Sequence, residues 1–297
     1  MMRVSVALAS FNGEKYIVEQ LKSILNQSIQ PDIILIGDDL SKDRTIDLSL
    51  SVLEESKISS QISRNIVRKG YARNFNDLLE SAQSQSDIVF LSDQDDYWFN
   101  EKIKEVLKIY KENHRIHLTI NNAIFTDENL CSQNRTKLDS IDSSFGGRRN
   151  WVMGCAVSVS SSFLGVVLPI PYKACDHDDW IVTIARLLKV YQEIEVPLQF
   201  YRRHGANASQ IALNNTGVKK ELRAKALDYL DLTKIYNILI SKIIFKEELL
   251  TFFIRKEYDI VSIQNNYRSY FKAKILLRLR AEIFAMKILE KFVRILK

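Results

Sequence analysis

Short apolar, β-branched runs alternate with amphipathic stretches through the first 115 residues. "RVSVALA" (3–9) reads as a strand, and "FNGEKYIVEQLKSILNQ" follows with Ile17, Leu21, Ile24 and Leu25 at helical spacing. "DIILIGDD" (32–39) is a second strand ending in carboxylates. "SKDRTIDLSLSVLEES" then restarts a helix, for which Ser41 is the expected N-cap. "QISRNIV" (61–67) predicts a third strand, "ARNFNDLLESAQ" a helix, "DIVFL" (87–91) a fourth strand and "NEKIKEVLKIYKEN" a further amphipathic helix. Four rounds of strand and helix predict an α/β domain whose mostly parallel sheet is covered by helices on both faces.

The pattern changes after residue 115. "IHLTINNAIFT" and "WVMGCAVSVS" predict strands, "DDWIVTIARLLK" a helix and "VYQEIEVPLQFYRRH" a strand or hairpin, while the polar, turn-rich 127–150 predicts a mobile loop. Beyond Gly217 there is no Gly or Pro, and the chain is helix-compatible to its end. The expected division is therefore a catalytic α/β domain over 1–216 and an all-helical extension over 217–297.

Charge sharpens that division. The whole chain carries +6, but residues 217–297 hold 18 Lys/Arg against 9 Asp/Glu, so the first 216 residues balance at −3. In 270–297, Phe271, Ile275, Leu279, Ile283, Met286, Leu289, Val293 and Leu296 share one helical face among Lys and Arg. Two readings stay open: a helix lying on an anionic membrane surface, or an appendage packed on the catalytic domain or on a second subunit of a homo-oligomer. Cys131, Cys155 and Cys175 lack metal-ligand spacing and fit reduced thiols. No apolar run reaches the roughly 18–20 residues of a spanning helix. The start reads as a first strand instead of a signal peptide. The expected location is cytoplasmic, with peripheral attachment to the inner face of the membrane under the first reading of the tail.

The candidate chemistry is acidic. "FLSDQDDYWF" sets Asp93, Asp95 and Asp96 directly after a strand, and Asp38 and Asp39 end another. In a parallel sheet, ligands bind beyond the carboxyl ends of the strands, so two clusters about 55 residues apart in sequence can converge. Asp-x-Asp offers hard oxygen ligands for Mg²⁺ or Mn²⁺ together with substrate phosphates. Asp-rich loops are common, and the motif alone does not choose between a metal site and a solvated loop. Tyr97 and Trp98 behind it read as packing.

Seven motifs in order choose for it: "ASFNGEKYIVEQLKSILNQS", "IGDDLSKDRT", "GYARNF", "LSDQDDYW", "GCAVSV", "DHDDW" and "YRRHGANAS". Over residues 3–210 the chain resembles the family 2 inverting glycosyltransferases of GT-A fold, and within them the bacterial polysaccharide branch described as rhamnosyltransferase-like. The resemblance implies a nucleobase pocket lined by Ser10, Phe11, Asn12, Asp38 and Asp39, one carboxylate accepting a pyrimidine N3–H. It gives Asp93 the ribose, and Asp95 a Mn²⁺ or Mg²⁺ ion that bridges the donor's diphosphate. Arg203 would face that diphosphate, with His204 joining the metal, and Asp96 would cap the next segment. Apart from the resemblance, Arg202 and Arg203 read as a solvated strand end. The catalytic base falls at Asp178, although Asp179 stands where related sequences carry Trp, so either carboxylate can face the acceptor. Both also suit a helix N-terminus.

Lys69 and Arg73 are further candidates for the phosphates, or exposed helix positions. Trp151 and Trp180 are candidates for sugar stacking, or core. The implied partners are a nucleotide-sugar donor, uridine- or thymidine-linked, and a glycan or lipid-linked acceptor, with no nucleic acid. Two rivals remain: a sugar nucleotidyltransferase, which calls for a Gly-rich phosphate loop where "ASFNGEKY" has one Gly, and a non-catalytic nucleotide-binding scaffold at a membrane surface.

Overall fold

The computed structural model describes residues 2–145, 152–170 and 176–205. The expected boundary at 216/217 and the basic helical extension lie outside these residues.

Strands β1 (Val4–Ser10), β2 (Ile33–Asp38), β3 (Ser59–Arg64) and β4 (Ile88–Asp93) alternate with helices α1 (Ile17–Leu25), α2 (Thr45–Glu54) and α3 (Tyr71–Gln83). A two-residue strand β5 (Tyr97–Trp98) then precedes helix α4 (Lys102–Glu112). The pairs β1–β2, β2–β3 and β1–β4 are all parallel. The period of two explains why these strands are apolar throughout. Val4, Val6, Leu8, Ile34, Ile36, Ile88 and Phe90 form one buried cluster with Ile17, Leu21 and Ile24 of α1 and Ile103 and Val106 of α4. The alternate positions Ala7, Leu35, Val89 and Leu91 are also buried, and α3 covers that side with Phe75, Leu78, Leu79 and Ala82.

The second half adds β6 (Leu118–Thr126), β7 (Ser132–Thr136), β8 (Val157–Ser160) and β9 (Tyr191–Arg202), with helices α5 (Lys137–Phe145), α6 (Ser161–Val167) and α7 (His177–Leu188). The sheet runs β3-β2-β1-β4-β8-β6-β9-β5, and β7 pairs with β6. Strand β8 is antiparallel to both β4 and β6, so the sheet is mixed beyond β4.

Several local expectations change. Residues 127–145 are not a loop: β7 and α5 occupy 132–145. The strand expected at "WVMGCAVSVS" is shortened by a 3-10 turn at Gly154–Ala156, and α6, absent from the sequence reading, follows it. Strand β3 sits two to three residues earlier than expected. Ser41 is not the N-cap of α2, which begins at Thr45 after Arg44. Ser41 is buried instead, with its N–H on Asp38 Oδ1 at 2.8 Å. A short polar side chain beside a strand end can serve a neighbouring strand's loop as well as a helix end. No described helix is long and apolar enough to cross a membrane.

Candidate active site

Parallel pairing puts the two acidic clusters at one edge. Ser10 lies opposite Asp38 on β2, and Ala9 opposite Asp93 on β4. Three loops meet there. Asn12 takes a left-handed conformation (φ 47°), which its short polar side chain tolerates. Its N–H donates to Ser41 Oγ at 2.8 Å, and its Oδ1 accepts the Lys42 N–H at 2.9 Å. Ser10 Oγ donates to Asp38 Oδ2 at 3.0 Å. Phe11 is clasped by Gln94, whose Oε1 accepts the Phe11 N–H (2.8 Å) and whose Nε2 donates to the Phe11 carbonyl (3.0 Å). A Cβ on Gly13 would lie 2.1 Å from Gln94 Oε1, so this glycine makes room for the clasp. The Arg68 guanidinium lies 3.9 Å from the Phe11 ring centroid.

Both carboxylates of the first cluster are buried and already hold their own loops. Asp38 accepts from Ser10 and from Ser41. Asp39 accepts the N–H groups of Lys69 (2.7 Å) and Gly70 (2.8 Å) and the Asn65 amide (3.1 Å). Among the described residues, Asp39 Oδ2 takes one hydrogen bond, from the Gly70 N–H, and a carboxylate oxygen can accept a second. The Lys69 ammonium is paired with Asp77, and Arg73 is exposed.

The second cluster is tied to β9. Asp95 Oδ2 meets His204 Nε2 at 2.8 Å, and the His204 ring lies 4.7 Å from that of Tyr16. Asp96 does not cap a helix; it is buried, accepting the Gln199 amide at 3.0 Å and the Arg202 N–H at 3.3 Å. Helix α4 starts later, after Glu101. Arg202 is not a solvated strand end either. It is buried, donating from Nε to the Asp95 carbonyl (2.8 Å), reaching Glu19 and the Glu128 carbonyl, and covering the Tyr16 ring at 4.6 Å. Arg203 is exposed, with its guanidinium 4.8 Å from the Phe125 centroid.

Crowding sets the protonation pattern. Burial first, then Asp95, Asp96 and Asp178, push Asp93 well above the usual carboxylate range. Burial with Asp95 raises Asp96 to about 7. Beside them, burial lowers Lys102 to about 7 and drives the Cys155 thiol upward. A cation among these carboxylates would relieve their repulsion. Asp95 and His204, an oxygen and an imidazole nitrogen in contact and both half-buried, fit a divalent ion, the nitrogen favouring Mn²⁺ over the oxygen-seeking Mg²⁺. A second grouping, Asp93, Asp96 and Cys155, keeps its ligand atoms within 4.8 Å of one another. It fits a hard cation less well, because the buried thiol resists becoming a thiolate.

Helix α7 brings the remaining carboxylates. Asp178 and Asp179 both lie in its first turn, but Asp178 is half-buried and Asp179 exposed. Asp178 faces Gly154: a Cβ there would stand 3.2 Å from Asp178 Oδ2 and 3.0 Å from His177 Nε2. Burial, then Asp176, raises Asp178 to about 6. His177 is buried, stacked on Phe75 at 4.1 Å, and burial lowers it to about 3, so it is a neutral platform and no base. Trp180 is core: 1% exposed, its indole N–H on the Val167 carbonyl at 2.9 Å. Trp180→Ala should cost about 3–5 kcal/mol in denaturant unfolding; a loss below about 1 kcal/mol would mean that the ring is not packed as described. Trp151 lies outside the described residues.

Gln94, Lys102, Gln199 and Tyr16 organise this site together with Arg202, and the sequence assigned those four no role. Lys102 alone left a trace, as a charge on the apolar side of an amphipathic helix.

The fold is shared with solved glycosyltransferases. Staphylococcus aureus TarS 1-349 in complex with UDP-GlcNAc superposes with a TM-score of 0.58 at 16% identity, covering 77% of this chain and 66% of that one. Mannosyltransferase PcManGT from Pyrobaculum calidifontis, in complex with GDP-Man and Mn²⁺, gives 0.55 at 12% identity, over 97% and 86%. In sequence, the chain is 28% identical to the dTDP-rhamnosyl transferase RfbG of Shigella flexneri over 228 residues, 68% of this chain and 75% of that protein. The family model for glycosyl transferase family 2 matches residues 5–164, more than half of the chain, and this protein belongs to that family.

Proposed function

We propose that the protein transfers a sugar, with inversion, from a uridine- or thymidine-diphosphate sugar to a hydroxyl of a glycan or lipid-linked acceptor in cell-surface polysaccharide synthesis. The observation that carries this is the convergence of Asp178, Asp93 and the Asp95–His204 pair at one edge of the sheet of a family 2 chain. The rhamnosyl relative favours a thymidine-linked donor.

The roles implied by the family resemblance are part of this proposal. Asp39 Oδ2, with acceptor capacity to spare, accepts the pyrimidine N3–H. Asp38 holds Ser10 and the Ser41 loop in shape, while Phe11 and Asn12 line the base pocket. Asp93 takes the ribose hydroxyls, and Arg203 faces the diphosphate. Asp95 and His204 would hold Mn²⁺ or Mg²⁺, which when bound would supply charge neutralisation for the departing diphosphate. Asp178 removes the proton of the acceptor hydroxyl. The oxygen then bonds to the anomeric carbon from the face opposite the donor phosphate, and the pair of the breaking C–O bond leaves with the diphosphate.

A nucleotidyltransferase is disfavoured because Gly13, the glycine after β1, makes room for Gln94 and no Gly-rich phosphate loop surrounds it. The deciding experiment incubates the protein with Mn²⁺ and a panel of UDP- and dTDP-sugars and follows nucleoside diphosphate release. Pyrophosphate from a nucleoside triphosphate would instead favour the rival, and no release of either kind the scaffold. With a working donor, kcat/KM should fall about tenfold per unit as pH drops below about 6 and level off above it. Asp178 must be ionised to act as base, and its pKa is raised to about 6. A profile flat down to pH 5 would remove Asp178 from that role.

A further inference from the structure

Three carboxylates within four positions need positive charge, and the protein carries one that lies outside the donor site. Lys102 is 1% exposed. Its ammonium lies 4.0 Å from the centroid of the Trp98 ring and donates to the Cys155 carbonyl at 3.3 Å and to Gln199 Oε1. Gln199, fully buried, turns that contact round: its Nε2 donates to Asp96 Oδ2 at 3.0 Å and reaches Cys155 Sγ at 3.4 Å. Its Oε1 also accepts from Asn121 Nδ2 at 3.3 Å. Strand pairing fixes the chain of contacts, because Gln199 sits opposite Trp98 in the β5–β9 ladder. The end of β9 and the residues after it complete the hold: the Arg202 N–H lies on Asp96 Oδ1, and His204 meets Asp95.

We infer that Lys102 and Gln199 are positioning residues which, through Asp96, hold the 93–96 loop in the shape that lets Asp95 and His204 take a divalent cation. The inference rests on the metal-assisted donor site proposed above. A neutral amide between ammonium and carboxylate suits the task. It fixes Asp96 at hydrogen-bond distance while the ammonium itself lies on Gln199 Oε1 and the Cys155 carbonyl. Lys102 is the first residue of helix α4 and is buried there with Ile103 and Val106. Burying an ammonium is costly unless it is paired and hydrogen-bonded, which gives the charge a reason to be there.

The test measures Mn²⁺-dependent binding of dTDP and of UDP by calorimetry, with thermal unfolding as a parallel readout. Lys102→Met should weaken Mn²⁺-dependent binding about 10-fold, the lower end of the cost of losing a metal ligand's direct partner, because Lys102 acts on the ligands through Gln199 and Asp96. Binding of thymidine or uridine should not change. The deciding variant is Lys102→Met with Asp96→Asn: once the carboxylate that needs holding is neutral, the lysine is dispensable and binding should recover towards wild type. A packing role predicts no such recovery.

Gln199→Glu gives an independent arm should Lys102→Met unfold. It preserves the acceptor for Lys102 but turns an oxygen on Asp96, so binding should weaken, and Asp96→Asn should again restore it. Wild-type affinity in both single variants, or additive losses in the double ones, overturns the inference. Absence of Mn²⁺-dependent nucleotide binding by the wild-type protein would instead strike the donor-site reading on which it rests.

Discussion

Asp178→Asn is expected to abolish transfer, lowering kcat by at least about 10³, while nucleotide affinity stays within about twofold of wild type. The substitution keeps size and shape, and the amide oxygen can still accept the Asp179 N–H that now lies on Asp178 Oδ1 at 2.9 Å. What disappears is the basic lone pair, and general bases contribute about 10²–10⁴ to rate. Loss of a group that acts only in the transition state appears in kcat, not in donor binding. The neighbour serves as control. Asp179 is exposed on the same helical turn, so Asp179→Asn should leave kcat within about threefold. Steady-state release of nucleoside diphosphate, with calorimetry for affinity, reads both. The reverse pattern, loss in Asp179→Asn alone, would move the base by one residue.

How the two carboxylates differ shows where sequence reading stops. Asp178 and Asp179 are chemically equivalent in the chain; what separates them is a helix N-terminus, which turns one towards Gly154 and the other to solvent. The parallel half of the sheet was legible because Val4, Val6, Leu8 and their neighbours repeat in runs that only a strand buried on both faces can accommodate. The convergence of Asp38 with Asp93 followed from that topology without any knowledge of side chains.

Other features depended on contacts between distant segments. Ser41 looked like a cap because a Ser before a helical run usually is one, yet Asp38, three residues earlier, claims it. Asp96 looked like a local cap for the same reason, but its partners, Gln199 and Arg202, are more than a hundred residues away. Arg202 and Arg203 are adjacent in sequence with opposite fates. Strand alternation buries one against Tyr16 and exposes the other, and neither identity nor spacing says which. Strand β7 and helix α5 were missed because Ser132–Thr136 is polar and exposed, an edge segment with no apolar alternation to read.

Asp95→Ala is expected to weaken Mn²⁺-dependent binding of dTDP or UDP by about 100-fold or more and to remove transfer at ordinary donor concentrations. Two losses add. The carboxylate is the anionic oxygen ligand of the pair with His204, and removing it also deprives the imidazole of the partner it meets at 2.8 Å. Thymidine or uridine should bind the variant and the wild type alike, because a cation on the phosphates does nothing for the base or the ribose. The fold should survive, since Asp95 is half-buried at a loop and the substitution keeps the backbone carbonyl to which Arg202 donates. Excess chelator on the wild-type protein should reproduce the same pattern, diphosphate binding lost and nucleoside binding kept, and added Mn²⁺ should reverse it. If the chelated wild-type protein transfers sugar at full rate, no cation is needed. Arg203 would then have to neutralise the leaving diphosphate without a metal, and Asp95 would be left as the residue that meets His204.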